Sequence, residues 1–251
     1  MRLICFANNW IAWQVVEFLA TQPDQIVALV LHPPARRKYG DEILAAADLP
    51  ADRIFDGSTL GDPAVIDTLG ELEPELGVSL MFGHILRRPV LDLFPAGAVN
   101  LHPSYLPFNR GNHPNVWSIV EGTPAGVTLH YMDEGIDTGD VIVQQRVEVD
   151  PTDTGETLYR KLERAAVELF KQNWSLVQSG SPPRHPQTGP GTFHRSRDLG
   201  RLDRIDPDRT YVARELIDIL RARTFPPYEA AYIEVDGRRI QIRLELDELP
   251  A

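Results

Sequence analysis

LICFANNWIAWQVVEFLATQPDQIVALVL, residues Leu3 to Leu31, is the stretch on which the fold turns. Leu3–Phe6 and Ile26–Leu31 are short continuous apolar runs, the pattern of strands buried on both faces. Between them Trp10–Thr21 sets Trp13, Val16, Phe18 and Leu19 at helical spacing. A strand, a helix and a second strand in that order need a crossover, so the two strands are expected to run parallel. The pattern continues with a helix over Asp62–Glu73 and strands over Val78–Phe82 and Ala98–His102. The expected class is therefore α/β, a Rossmann-like, mostly parallel sheet with helices on both faces.

Further along, Gly126–Met132 and Val141–Val147 read as strands around the polar loop Asp133–Asp140. Thr154–Gln178 reads as a long helix, capped by Thr154, with Leu158, Leu162, Ala166, Leu169, Phe170 and Leu176 on its apolar face. Composition then shifts: Ser179–Arg195 holds four prolines and three glycines and is expected to be an irregular connector. Beyond it come a helix over Tyr211–Arg223 and strands over Tyr232–Val235 and Arg239–Leu246, hinged at the hairpin dipeptide Asp236-Gly237. The organisation that follows is a catalytic domain over 1–180, a linker over 181–201 and a small C-terminal helix-plus-hairpin subdomain over 202–251.

Twenty-five basic against thirty-six acidic residues leave a net charge of −11. That sign opposes a broad grip on nucleic acid or an anionic membrane, although one anionic ligand needs only an arginine or two. Cys5 is the only cysteine, which excludes an intrachain disulfide and a cysteine-built metal site; in an apolar run it reads as core. No stretch approaches the ~18 consecutive apolar residues of a membrane span, and MRLICFANNW lacks the features of a signal peptide. A cytoplasmic enzyme is expected.

The loop after the first strand, Ala7-Asn8-Asn9-Trp10, lacks the glycine triplet that lets a backbone approach a pyrophosphate, which disfavours an NAD-dependent dehydrogenase. For Asn8 and Asn9 two readings stay open, ligand contacts or turn residues. The informative stretch is Val99-Asn100-Leu101-His102-Pro103. Asn100 and His102 sit two apart on an extended segment and share a face, and Pro103 ends the strand. Open parallel sheets carry their ligand sites at the carboxyl ends of strands, so an amide and an imidazole are aimed at one crevice.

Taken with Arg110-Gly111, Pro114, Gly126-Val127-Thr128 and Gly135-Ile136-Asp137-Thr138-Gly139-Asp140, this pattern resembles the folate-dependent formyltransferase family over residues 76 to about 195. The resemblance implies Asn100, His102 and Asp137 as the catalytic set and N10-formyltetrahydrofolate as co-substrate. It implies a pterin site along Met81, Phe82, Gly83, Ile85 and Leu86, closed from the other side by the loop that starts at Asp133. Acyl transfer fits these residue types. Asn100 and His102 donate to the oxyanion that develops on the formyl carbonyl, and Asp137 orients His102 and relays the proton lost by the amine. No metal is expected, because His84, His113 and His130 lack ligand spacing with acidic partners. Asp140 reads as a turn residue, and Ser104 as a brace for the turn after His102.

The acceptor follows from resemblance alone. Tyr105–Asn115 and Arg221–Tyr228 are similar to the branch acting on nucleotide-linked amino sugars, which would put Arg110 on a diphosphate or, alternatively, make it a structural anchor. The net charge and short C-terminal part argue against a tRNA substrate, and the Ala7–Trp10 loop against a glycinamide ribonucleotide. A peptide or amino-acid amine remains an alternative. From another class, so does a formyl-folate hydrolase or a non-catalytic folate binder. The hairpin leaves two uses open, a homodimer interface or cover for the catalytic domain.

Overall fold

The computed structural model describes residues 1–249. Its strands are β1 (Arg2–Ala7), β2 (Gln25–Leu31), β3 (Ile54–Asp56), β4 (Leu76–Leu80), β5 (Ala98–His102), β6 (Arg110–Gly111), β7 (Gly126–Tyr131), β8 (Val141–Arg146), β9 (Phe193–His194), β10 (Tyr232–Val235) and β11 (Arg238–Gln241). Its helices are α1 (Asn9–Ala20), α2 (Gly40–Ala47), α3 (Pro63–Gly70), α4 (Arg88–Leu91), α5 (Pro114–Glu121), α6 (Gly155–Gln178), α7 (Gly200–Asp203) and α8 (Ala213–Ala222). The chain forms two compact units.

The first unit comprises Met1–His102, Val127–Gln145 and Glu163–Gln187. It holds a seven-stranded sheet in the order β3-β2-β1-β4-β5-β7-β8. The five strands from β3 to β5 are parallel, and β7 joins β5 antiparallel with Asn100 opposite His130 and His102 opposite Thr128. The α/β, mostly parallel arrangement agrees with the expectation. Ile4, Phe6, Ala28 and Val30 point to one face, where Leu69 of α3, Val90 of α4 and Phe94 complete an apolar cluster. Leu3, Cys5, Leu29 and Leu31 are equally buried on the other face, and α1 turns Ile11, Val15, Val16 and Leu19 inward. Burial on both faces is why these strands carry no polar alternation. The second half of α6 belongs to this unit: Phe170 meets Phe18, and Trp174 Nε1 donates to Asp24 at 2.9 Å.

The second unit gathers Pro103–Gly126, Arg146–Leu162 and the described residues from Thr188 on. Here α5 packs on α8. The buried Arg221 guanidinium donates to the carbonyls of Asp150 and Asp153 at 3.1 and 2.8 Å, and its Nε to Asp218 at 2.7 Å. The C-terminal hairpin β10–β11 turns at Asp236-Gly237, both at positive φ.

Several boundaries move. The strand expected over Val78–Phe82 is Leu76–Leu80, because Met81 adopts φ +56 and takes the chain out of the sheet. The hairpin's second strand is Arg238–Gln241, well short of Leu246. The elements β3, α2 and α5 had no counterpart in the sequence reading. In α5 the start is a left-handed His113 followed by Pro114, where the proline's missing N–H costs nothing.

Candidate active site

Four side chains of the first unit meet at the carboxyl end of β5. Asn100 and His102 stand on one face of that strand, as their spacing requires. From the opposing strand β7 comes His130, which the sequence reading set aside. From the loop between β7 and β8 comes Asp137. The Asn100 amide Nδ2 is 3.1 Å from His130 Nε2 and donates to Asp137 Oδ1 at 3.2 Å. His102 Nε2 and His130 Nε2 each lie 3.6 Å from an Asp137 carboxylate oxygen. That distance suits charge attraction but exceeds a hydrogen bond.

The protonation pattern follows from the partners. His130 Nδ1 is 2.7 Å from the Tyr131 carbonyl, which only accepts, so Nδ1 carries the proton. In the neutral ring Nε2 is then an acceptor, and the Asn100 amide faces it with its NH2 group. Both amide hydrogens are used, one on His130 and one on Asp137. The expectation that Asn100 donates to a developing oxyanion therefore acquires a condition: one of those bonds must be exchanged. His102 Nε2 faces the same Asp137 carboxylate, which is placed to orient the ring.

The Asp137 loop is internally braced. Asp133 Oδ1 accepts from Gly135 N at 2.9 Å and Thr138 Oγ1 at 2.6 Å, so this carboxylate holds the turn. Asp137 has φ +54. A Cβ on Gly139 would lie 1.9 Å from the Tyr131 carbonyl oxygen, so the chain passes there only as glycine. Asp140 Oδ2 lies 3.7 Å from Arg184 Nη1.

The stretch expected to take the pterin divides. Phe82 packs on Phe6, His32 and His84 with ring centroids 5.5, 5.2 and 5.1 Å apart. Leu86 is 1% exposed and belongs to the apolar cluster, whereas Ile85 is 62% exposed. Gly83 N–H donates to His32 Nε2 at 3.0 Å, tying this loop to the end of β2. Burial, followed by the charges of His84 and Arg36 against an opposing pull from Asp56, holds the His32 pKa below its ordinary value, which preserves that acceptor. Asn8 Oδ1 accepts from Lys38 N at 2.8 Å, and Trp10 N donates to Asn9 Oδ1 at 2.7 Å. Asn8 thus ties its loop to the segment before α2, and Asn9 bonds to its own chain neighbour. In the second unit Arg110 lies on β6, its N–H bonded to the Thr192 carbonyl at 3.0 Å. Among the described residues no group of three or more His, Cys, Asp or Glu could hold a metal ion, and no helix is long and apolar enough to cross a membrane.

A signal for His130 was present in the sequence. Thr128 and His130 alternate with Val127 and Leu129, so one face of β7 is polar. What the sequence lacked was the register that sets that face beside Asn100 and His102.

A mostly parallel α/β sheet thus brings an amide, two imidazoles and a carboxylate together at one strand end. Residues 15–173 match the formyl transferase family and residues 198–248 match an N-formyltransferase dimerization C-terminal domain; the chain belongs to the formyl transferase family. It is 34% identical over 178 residues to the methionyl-tRNA formyltransferase of Syntrophus aciditrophicus, a match covering 68% of this chain and 57% of that protein. The chain thus spans little more than half of that relative's length. Among solved structures it superposes on a 4-N formyltransferase from Francisella tularensis with a TM-score of 0.85 and 26% identity, covering 99% of this chain and 98% of that one. A formyltransferase from Anoxybacillus kamchatkensis, solved with UDP-4,6-dideoxy-4-formamido-L-AltNAc and tetrahydrofolate, gives 0.59 at 26% identity, covering 80% and 89%.

Proposed function

We propose that this protein is an N-formyltransferase that moves the formyl group of N10-formyltetrahydrofolate to the amine of a nucleoside-diphosphate-linked amino sugar. The observation that carries this reading is end-to-end agreement with the Francisella 4-N formyltransferase, C-terminal unit included. The structure solved with a UDP-linked formamido sugar and tetrahydrofolate supports the substrate pair. The net charge of −11 points away from RNA.

In the proposed reaction the neutral amine attacks the formyl carbon. A carbon–nitrogen bond forms to the sugar, and the bond from carbon to N10 breaks. His102 donates to the carbonyl oxygen as it becomes anionic, and Asn100 joins it by exchanging one of its two amide bonds. The ammonium formed by attack loses its proton toward Asp137 and His102, and N10 takes up a proton as tetrahydrofolate leaves. His130 keeps Asn100 in plane. Met81, Gly83 and Ile85 would line the pterin, with Phe82 and Leu86 behind them and Asp133 shaping the opposite loop. Arg110 is proposed for the diphosphate; for Asn8 and Asn9 the loop-holding bonds favour a structural duty. The dimerization-domain match supports a homodimer.

Transfer to methionyl-tRNA is the second reading, favoured by the name of the Syntrophus relative. The test is to incubate the protein with N10-formyltetrahydrofolate and, separately, UDP- and dTDP-linked amino sugars, charged initiator tRNA, or no acceptor. Formyl addition to a sugar, seen by mass, is expected. Transfer only to tRNA, or tetrahydrofolate release without any acceptor, would refute the proposal. His102→Asn should lower turnover by about 10²- to 10⁴-fold with folate binding kept, and Arg110→Ala should weaken sugar-nucleotide binding more than folate binding.

A further inference from the structure

The proline-rich connector contributes a side chain to the candidate site. Val141 and His185 exchange backbone hydrogen bonds of 2.9 Å in both directions, so the connector adds one antiparallel bridge at the start of β8. Arg184 lies 3.4 Å over the Tyr131 ring. These contacts deliver Gln187, whose Nε2 donates to the carbonyls of Asp137 at 2.8 Å and Gly139 at 2.9 Å. Asp137 is a non-glycine residue at φ +54. Such a conformation persists when its surroundings over-determine it. The bonds from Asp133 brace the turn at Gly135 and Thr138, on either side of Asp137, and Gln187 bonds the carbonyl of Asp137 itself. Turning that peptide would swing the carboxylate relative to His102 and Asn100.

We infer that Gln187 is a positioning residue: its two donated bonds set the direction of the Asp137 carboxylate and thereby the rate of formyl transfer. This rests on the reading of Asp137 as catalytic. The requirement is for donors, since both partners are carbonyl oxygens. Gln187→Glu keeps the shape but offers only acceptors, Gln187→Met keeps length without polarity, and Gln187→Lys restores donors on a different stem.

The experiment is long-range ¹H–¹⁵N spectroscopy of the full chain labelled at histidine, with Asp137→Asn as the reference for a disturbed carboxylate. The imidazole signals of His102 and His130 are expected to move in Gln187→Glu and Gln187→Met, and to return toward wild type in Gln187→Lys. With the acceptor found in the screen above, kcat of the Met variant should fall about 10- to 100-fold while KM for the formyl donor stays within about twofold. A purely structural glutamine would lower the denaturation midpoint and leave the imidazole signals of the folded protein in place. Unchanged signals in folded Gln187→Glu overturn the inference. Wild-type turnover by Asp137→Asn would instead overturn the reading of Asp137, and this inference with it.

Discussion

Replacing His130 by leucine should disturb stability and the candidate site together. The ring is 2% exposed. It donates through Nδ1 to the Tyr131 carbonyl at 2.7 Å and accepts from Asn100 through Nε2 at 3.1 Å. Leucine fills similar space but makes neither bond. A buried polar group left unpaired costs about 1–3 kcal/mol. The Asn100 amide is half-buried and stays bonded to Asp137, so its share falls at the low end, giving about 2–4 kcal/mol in total. For a chain of this size that corresponds to a melting point lowered by roughly 5–15 °C. Two further variants separate the bonds. His130→Asn can still donate from near the Nδ1 position, and His130→Gln can still accept near Nε2, so each should lose about half as much. Urea midpoints and thermal unfolding measure all three, and turnover should fall most where the acceptor for Asn100 is lost, in Leu and Asn. A leucine variant as stable as wild type would refute the reasoning, as would Asn and Gln variants that each lose as much as leucine.

Burial pushes the Cys5 thiol up to about 12, so a thiol reagent at neutral pH should label the chain only as it unfolds; prompt labelling of folded protein would contradict this. Burial, then the charge of Arg223, holds the His113 pKa below its ordinary value. The unfolded chain therefore binds more protons there, and the stability His113 contributes is present above about pH 6.5 and is lost as pH falls through that value toward the lower folded pKa. His113→Asn, which suits the left-handed backbone of φ +58, should flatten the acid-side decline in urea midpoint. A residual slope of the same sign should remain from His32. An unchanged slope would count against the assignment.

Legibility followed the range of the interactions. Strands β1, β2 and β5 and helices α1 and α6 were readable to within a residue or two, because burial on both faces writes a continuous apolar run, and burial along one stripe a helical period, into local sequence. Strand β3, with three residues, has too few positions to show one. Helix α5 starts with His-Pro-Asn and is held by tertiary bonds, among them Asn115 Nδ2 to the Gly155 carbonyl at 2.8 Å. Asn100 and His102 were readable as a pair because one strand carries both. Asp137 entered only through family resemblance, since no local rule ties a loop aspartate to a strand thirty-odd residues earlier.

By itself, then, the sequence determined the α/β class, the shared face of Asn100 and His102, their place at a strand's end, and membership of a formyl-transferring family. Those are properties of alternation, apolar runs and motif order. Only the tertiary structure decided that His130 stands opposite Asn100, that both Asn100 amide hydrogens are already used, and that Gln187 from the proline-rich connector holds the Asp137 peptide. Each depends on strand register or on contacts across fifty residues of chain. Hydrogen bonds have lengths and directions, and neither is written in the order of residues until the backbone has been brought round.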